Sequence, residues 1–524
     1  MPGPETERAR VALAEDGTVR VTTGRADAVR ATGLAFDRAV LGVAGAVLTW
    51  PVLGPPGLPD AEIHDVGRAQ QWLWTVYGET VAGAVDAAGT VHEARAGATD
   101  EPGTVDGAGA GAGTVDGAGA GTVGATGASA PVSVPVTAPA VDARAGALAG
   151  SAARLALGHW AARWWPASYL DGIPALEPDL LGLELAALTH TCQQLFDDIE
   201  DQPDADAAEL IADHRAALGP LLRWWRAAPP GTTTARRLDV VVRLIDDAAD
   251  GAGLDGEELR ALRAALERHG VTGETAAGST VPVEPPDPPS PFDEPPDPPS
   301  PFDEPTDPPS PFDEPTDPAS PFDEPAGLSV PVDVGELFAR RHRDYALAAG
   351  EPLVAGGRVI ARGAGTNDWR RYPPGFVDAA ENAVTWTASA VGAGRRIEVD
   401  VVADVAAPVG GARLAAEVHV NGGPPHRVPL ARRDDVWTGR ADVHIPEAGP
   451  PRIEVGILLP GFDPEPSPTL EPSSRTDRDA VRALARRRLA RAEAQPPARR
   501  ESDEDHEPFL AEIAASATTA EEDY

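Results

Sequence analysis

The chain has 524 residues, with 54 Gly, 55 Pro and 82 Asp and Glu against 44 basic residues, for a formal charge of −38. All 44 are Arg; the absence of Lys beside abundant Ala, Gly, Pro and Val points to a GC-rich bacterium. So acidic a chain repels nucleic acid and anionic lipid through its overall field, and its single cysteine, Cys192, excludes an intramolecular disulfide framework or a multi-thiolate metal site.

The first residues, MPGPETERAR, have no apolar run behind their charges and do not read as a secretory signal. Residues 9–22 alternate apolar and polar around Asp16-Gly17, a hairpin signature. Residues 26–50 read as a helix stopped at Trp50-Pro51, and 60–88 as another carrying Trp72, Trp74 and Tyr77 as core aromatics. The longest apolar stretch, 39–54, is too short and too broken by Pro51 to span a bilayer, and reads as a buried hairpin of helices. No membrane span is expected, and the chain is placed in the cytoplasm.

Residues 94–143 are low complexity, with GTVDGAGA at 103 and again at 113, and read as a coil inserted between helical parts. Helical periodicity returns over 144–270, in segments 147–165, 178–201, 204–228, 236–249 and 255–269, with Trp160, Trp164, Trp165, Trp224 and Trp225 as apolar anchors. A decapeptide, EPPDPPSPFD, then repeats with Phe292, Phe302, Phe312 and Phe322 ten apart, a polyproline spacer by composition. Residues 336–346 read as a short helix. From 352 to 459 the period is two, in seven or eight short strands separated by turns such as Asn421-Gly422-Gly423. Residues 475–500 hold nine Arg against three acids, and 501–523 nine acids and no Arg.

The resulting organisation is an N-terminal hairpin with helices (1–93), a disordered Gly/Ala-rich insertion (94–143), a helical bundle (144–270), a disordered Pro-rich linker (271–330), a β-sandwich (331–462) and a charged tail (463–524). The fold class is multidomain: a mainly α helical bundle followed by an all-β immunoglobulin-like sandwich, joined by disordered linkers.

Two features bear on chemistry. Asp197-Asp198-Ile199-Glu200-Asp201 and Asp246-Asp247-Ala248-Ala249-Asp250 both match Asp-Asp-x-x-Asp at the ends of apolar helices. Carboxylates one turn apart can hold Mg²⁺, and the pair resembles the twin aspartate-rich motifs of isoprenyl diphosphate synthases and related class I terpenoid enzymes. That resemblance implies an Mg²⁺-dependent enzyme acting on a diphosphate through Asp197, Asp198, Asp201, Asp246, Asp247 and Asp250. The motifs stand about 49 residues apart, closer than that all-helical fold separates them, and no Lys is present to grip a diphosphate. No nucleophile elbow, phosphate loop, dinucleotide fingerprint or His-rich metal spacing appears, and no catalytic residue is assigned.

The second feature is a loop, 367–376, dense in residues that dominate protein interfaces: Trp369, Arg370, Arg371, Tyr372 and Phe376. With Phe509, Leu510 and Ile513, a small apolar face among the acids of the tail, these are the candidate partner-binding residues. The leading expectation is a non-catalytic adaptor or scaffold that binds protein partners through its helical module, this loop and its tail, without a cofactor. The Mg²⁺-dependent diphosphate enzyme is the alternative.

Overall fold

The computed structural model describes residues 8–23, 37–54, 57–97, 133–137, 143–196, 204–277, 358–392, 394–404, 407, 413–445, 451–462, 473–494 and 507–522. The decapeptide repeats, the 336–346 segment and the first Asp-rich motif lie outside these residues. Two compact units are distinguished: residues 1–262 with 333–524, and residues 263–332. Of the second, the described part is the C-terminal portion of one helix. Apart from that helix, everything that follows concerns the first.

The Asp16-Gly17 signal makes the expected hairpin of β1 (Arg8–Leu13) and β2 (Val19–Thr23), with Gly17 at φ +89° and the Thr18 amide donating to Asp16 Oδ1 at 3.0 Å. The next segment departs from expectation. Within 26–50, read above as helix, the described residues form β3 (Arg38–Val43) and β4 (Ala46–Pro51), paired around Ala44-Gly45. Gly45 sits at φ +72° with its missing Cβ against the Asp65 carbonyl, so the turn has room for no side chain. Burial alternates along both strands, a period that a helix cannot supply. The apolar stretch at 39–54 is therefore a β-hairpin rather than a pair of helices.

Asp60–Ile63 is likewise a strand, β5, rather than the start of a helix. Asp65 then caps α1 (Val66–Tyr77) by accepting from the Arg68 amide, and Gly78 at φ +82° separates it from α2 (Glu79–Gly97). The low-complexity stretch contributes β6 (Ser133–Thr137), which pairs with β1. The result is a six-stranded antiparallel sheet in the order β3-β4-β5-β2-β1-β6 where hairpin and helices were expected. Trp72 and Tyr77 are fully buried against it, the indole donating to Ala44 O at 2.9 Å and the phenol to Pro59 O at 2.8 Å. Trp74, expected in the core, is 61% exposed.

Helices α3 (Ala143–Trp164), α4 (Pro178–Thr191), α5 (Ala205–His214), α6 (Leu218–Ala227), α7 (Thr233–Gly251) and α8 (Glu257–Ala277) follow the periodicity of 144–270. Two expected helices are shorter. The one begun at 178 ends in a 3-10 turn, Gln193–Leu195, and 204–228 is broken by another, Arg215–Ala217. Helix α4 is buried along Leu180–Ala187 and packs against α3, α5 and α7. Helix α3 also packs on β3, and the Ala44 amide donates to Leu195 O at 2.8 Å, so sheet and helices share one core.

The described residues of the later β region form eight strands in two antiparallel sheets. Strands β7 (Arg358–Ala364), β8 (Val384–Val391), β9 (Gly394–Val402), β12 (Ala431–Arg433) and β13 (Val436–Asp442) make one, in the order β12-β13-β9-β8-β7. Strands β10 (Ala415–Val420), β11 (His426–Pro429) and β14 (Ile453–Leu458) make the other, in the order β11-β10-β14. The expected turn at Asn421-Gly422 is present, both residues at positive φ. His426 pairs with Val418, and His419 bonds to Gly423 O at 3.0 Å. Two helices follow, α9 (Ser473–Ala494) and α10 (Leu510–Glu522). No helix among the described residues is long and apolar enough to cross a membrane.

Candidate functional site

The loop 367–376 is folded into the protein. Asn367 is fully buried; its Nδ2 donates to Asp378 O at 2.7 Å and Ala380 O at 2.8 Å, and its Oδ1 accepts from the Tyr372 hydroxyl. Burial, with Asp368 nearby, holds the Tyr372 phenol well above its ordinary range. Trp369 and Tyr372 are buried, and their carbonyls accept from Arg163 Nη2 of α3 at 3.3 and 3.2 Å. Arg370 clamps Asp368 with both ends of its guanidinium, and Arg371 reaches Glu417 at 2.6 Å. Phe376 is half-buried, and its carbonyl accepts from the indole of Trp437 at 2.9 Å. The interface-like composition of this run thus serves the seam between helices and sheets. Asp378 completes the seam, accepting from Ser168 Oγ at 2.7 Å and the Tyr169 amide at 2.7 Å.

Helix α9 fastens the same seam. Arg478 and Arg482, both buried, converge on Glu381, and Arg482 also donates to Ala379 O at 3.0 Å. Arg486 reaches Asp171 at 3.2 Å. Arg478, Arg482 and Arg486 are thus paired within the chain, and Arg475, Arg487 and Arg491 of the same helix are exposed.

Phe509 and Leu510 are buried too. The Phe509 ring lies between two guanidiniums, Arg154 at 4.7 Å and Arg488 at 5.3 Å from its centroid, with its edge above Gly158, where a Cβ would collide with Leu185. Glu512, fully buried, accepts from Arg488 at 2.5 and 2.8 Å and from the Phe509 amide at 2.6 Å, closing the first turn of α10. The Leu510 amide donates to Glu184 Oε2 at 2.6 Å, while Glu184 Oε1 accepts from Arg154 at 2.9 Å and from Arg237. Burial pushes the Glu184 carboxyl up to about 7, against the pull of Arg154. Ile513 is half-buried. Glu184, Arg154 and Arg237 were not singled out from sequence, although a lone acid inside the apolar run LLGLELAAL marks a carboxylate that must find partners.

Of the second Asp-rich motif, Asp247 and Asp250 are exposed and Asp246 half-buried at the end of α7. Among the described residues, no group of three His, Cys, Asp or Glu comes together so as to hold a metal ion. Cys192 is buried, which pushes its thiol up to about 12 and away from nucleophilic use.

Among the described residues an open concavity lies elsewhere. A cleft of about 480 Å³ runs between β3 and α5. Val40, Leu41 and Gly42 form one wall, and Phe196 and Leu210 add apolar surface. Asp206, Glu209 and Asp213 stand on the facing side of α5, at the i, i+3, i+7 spacing that puts them on one helical face. His159 of α3, exposed, and Thr189 of α4 complete the lining, and partial desolvation lowers the His159 pKa from its ordinary value. The carboxylates give this cleft a negative wall opposite an apolar one. No family model, curated protein or solved structure matches this chain.

Proposed function

We propose that the chain is a non-catalytic adaptor that holds a protein partner through its helical module. The observation that carries this is the cleft between β3 and α5, where three same-face carboxylates oppose an apolar wall with Val40 52% exposed. Such a surface suits a segment with apolar anchors and positive charge, because complementary charge steers association while apolar area holds the complex. With Trp369, Tyr372, Phe509 and Leu510 buried in their own chain, partner contact falls to the cleft rather than to the loop and the tail. The finer architecture belongs to the same reading: α3–α7 as a bundle around α4, and the two later sheets as an immunoglobulin-like sandwich. We place the role in the cytoplasm, with which one buried cysteine is compatible.

The test is affinity capture from native lysate in physiological salt, comparing the full chain with the variant Asp206→Asn/Glu209→Gln/Asp213→Asn. A stoichiometric protein retained by the first and lost from the second is expected. Equal retention by both, or none by the unmodified chain, would overturn the reading.

A further inference from the structure

The cleft has a property beyond its charge. Strand β3 is the edge of the six-stranded sheet: it pairs with β4 on one side, and no strand among the described residues pairs with the other. Side chains of a strand alternate between faces, and with Val40 and Gly42 exposed on one face and Leu41 buried on the other, a space bordered by all three points to the strand's edge as its wall. Val40, Leu41 and Gly42 are consecutive. Gly42 is exposed, and a Cβ built on it meets nothing within 4 Å, so no side chain covers the strand there. Edges are normally guarded by charge, proline or a bulge. From Ala39 to Val43 this edge has none of these; its one charged residue, Arg38, stands at the strand's start.

We propose that the β3 edge is a strand-addition site, and that its ligand is an extended segment of a partner protein with basic side chains at alternate positions. The inference rests on the adaptor reading and specifies its binding mode. The edge supplies backbone hydrogen bonds without regard to sequence, and α5 supplies the selection. Asp206, Glu209 and Asp213 spread over about 10 Å of helix at 1.5 Å per residue. Same-face side chains of a strand recur about every 7 Å, so two or three cations of an added strand fall opposite the three carboxylates. The intervening side chains point away from α5, and β-branched residues suit them because they favour the extended backbone. The chain's own net charge of −38 adds long-range attraction for such a segment.

The probe is a fluorescein-labelled nine-residue peptide of alternating Arg and Val, titrated by polarisation against the full-length protein in physiological salt. Two further peptides carry N-methyl groups on the odd or the even amides, because an added strand pairs only alternate amides with its neighbour. The expected result is binding of the parent peptide, about tenfold weaker to Asp206→Asn/Glu209→Gln/Asp213→Asn. One N-methylated peptide should bind and the other fail, and amide exchange should slow within Arg38–Val43. The substituted acids are exposed, and an unchanged melting temperature of the variant verifies its fold. If both N-methylated peptides bind like the parent while the variant still weakens it, strand addition is overturned and the adaptor reading stands. If the parent peptide does not bind, or binds the variant equally well, the proposed ligand class is overturned, and the lysate capture decides the adaptor reading separately.

Discussion

Replacing Phe509 by Ala tests how the 507–522 segment is held. The ring is fully buried, lies between the guanidiniums of Arg154 and Arg488, and has its edge 3.4 Å from the Cβ position of Gly158. Removing a fully buried Phe side chain costs about 3–5 kcal/mol, of which each cation–π contact accounts for about 0.5–2 kcal/mol. The Leu510–Glu184 and Glu512–Arg488 bonds remain, but they depend on the position the ring fixes. The loss is therefore bounded by the docking free energy of the segment, since beyond that point α10 detaches while the rest stays folded. Hydrogen exchange reads this directly: amides of 512–517 should reach unprotected rates while those of Leu180–Ala187 in α4 stay slow, with the urea midpoint lowered. Protected α10 amides together with a stability loss below about 1 kcal/mol would refute the account of Phe509 as the anchor.

Other consequences follow from the same geometry. Asn367→Ala leaves the buried Asp378 carbonyl and the Tyr372 hydroxyl without this partner, while Ala380 O keeps the Ala383 amide; at about 1–3 kcal/mol for each unsatisfied group the expected loss is a few kcal/mol by urea denaturation, and a change within error would contradict the network. Arg482→Ala removes a buried cation bridging Glu381 and Ala379, so the helical and sheet regions should lose cooperativity and melt in two steps by calorimetry. A single unshifted transition would argue against α9 as their fastener. Burial lifts Glu184 from 4.5 to about 7, so the folded chain binds that proton more tightly than the unfolded one. Its stabilising contribution is then full below about 4.5 and declines as pH rises through about 7. The urea midpoint should fall from about pH 5 to about pH 8 with a slope that Glu184→Gln reduces, and identical slopes would sink the linkage.

What the sequence disclosed depended on how local each signal was. Asp16-Gly17 and Asn421-Gly422 name their turns because the φ they need is a property of those residues. The helices of 144–270 announce themselves by period. The hairpin β3–β4 did not, because AVLGVAGAVLTW is apolar throughout, and an unbroken apolar run has no period to separate helix from strand. Gly45, with the β-branched Val40, Val43 and Val47 around it, was the available clue. Nothing local reveals that Arg488 answers Glu512, or that Leu510 answers Glu184 across 326 positions. The cleft was hidden for the same reason: Val40 and Asp206 meet only after the sheet has formed, although the same-face spacing of Asp206, Glu209 and Asp213 was there to be read.

The union of Arg154 with the Glu507 carbonyl, 353 residues further along, sets a timetable for synthesis. At about 5–20 residues per second, α3 and α4 leave the ribosome tens of seconds before their last partner exists. For that interval Glu184 has no Leu510 amide, and the groove that takes Phe509 stands open. A chain that ends before residue 507 lacks the contacts of Phe509, Leu510 and Glu512 with Arg154, Glu184 and Arg488, so its core is unfinished. Closure of α10 over Glu184 thus marks the moment at which the helical module first becomes complete.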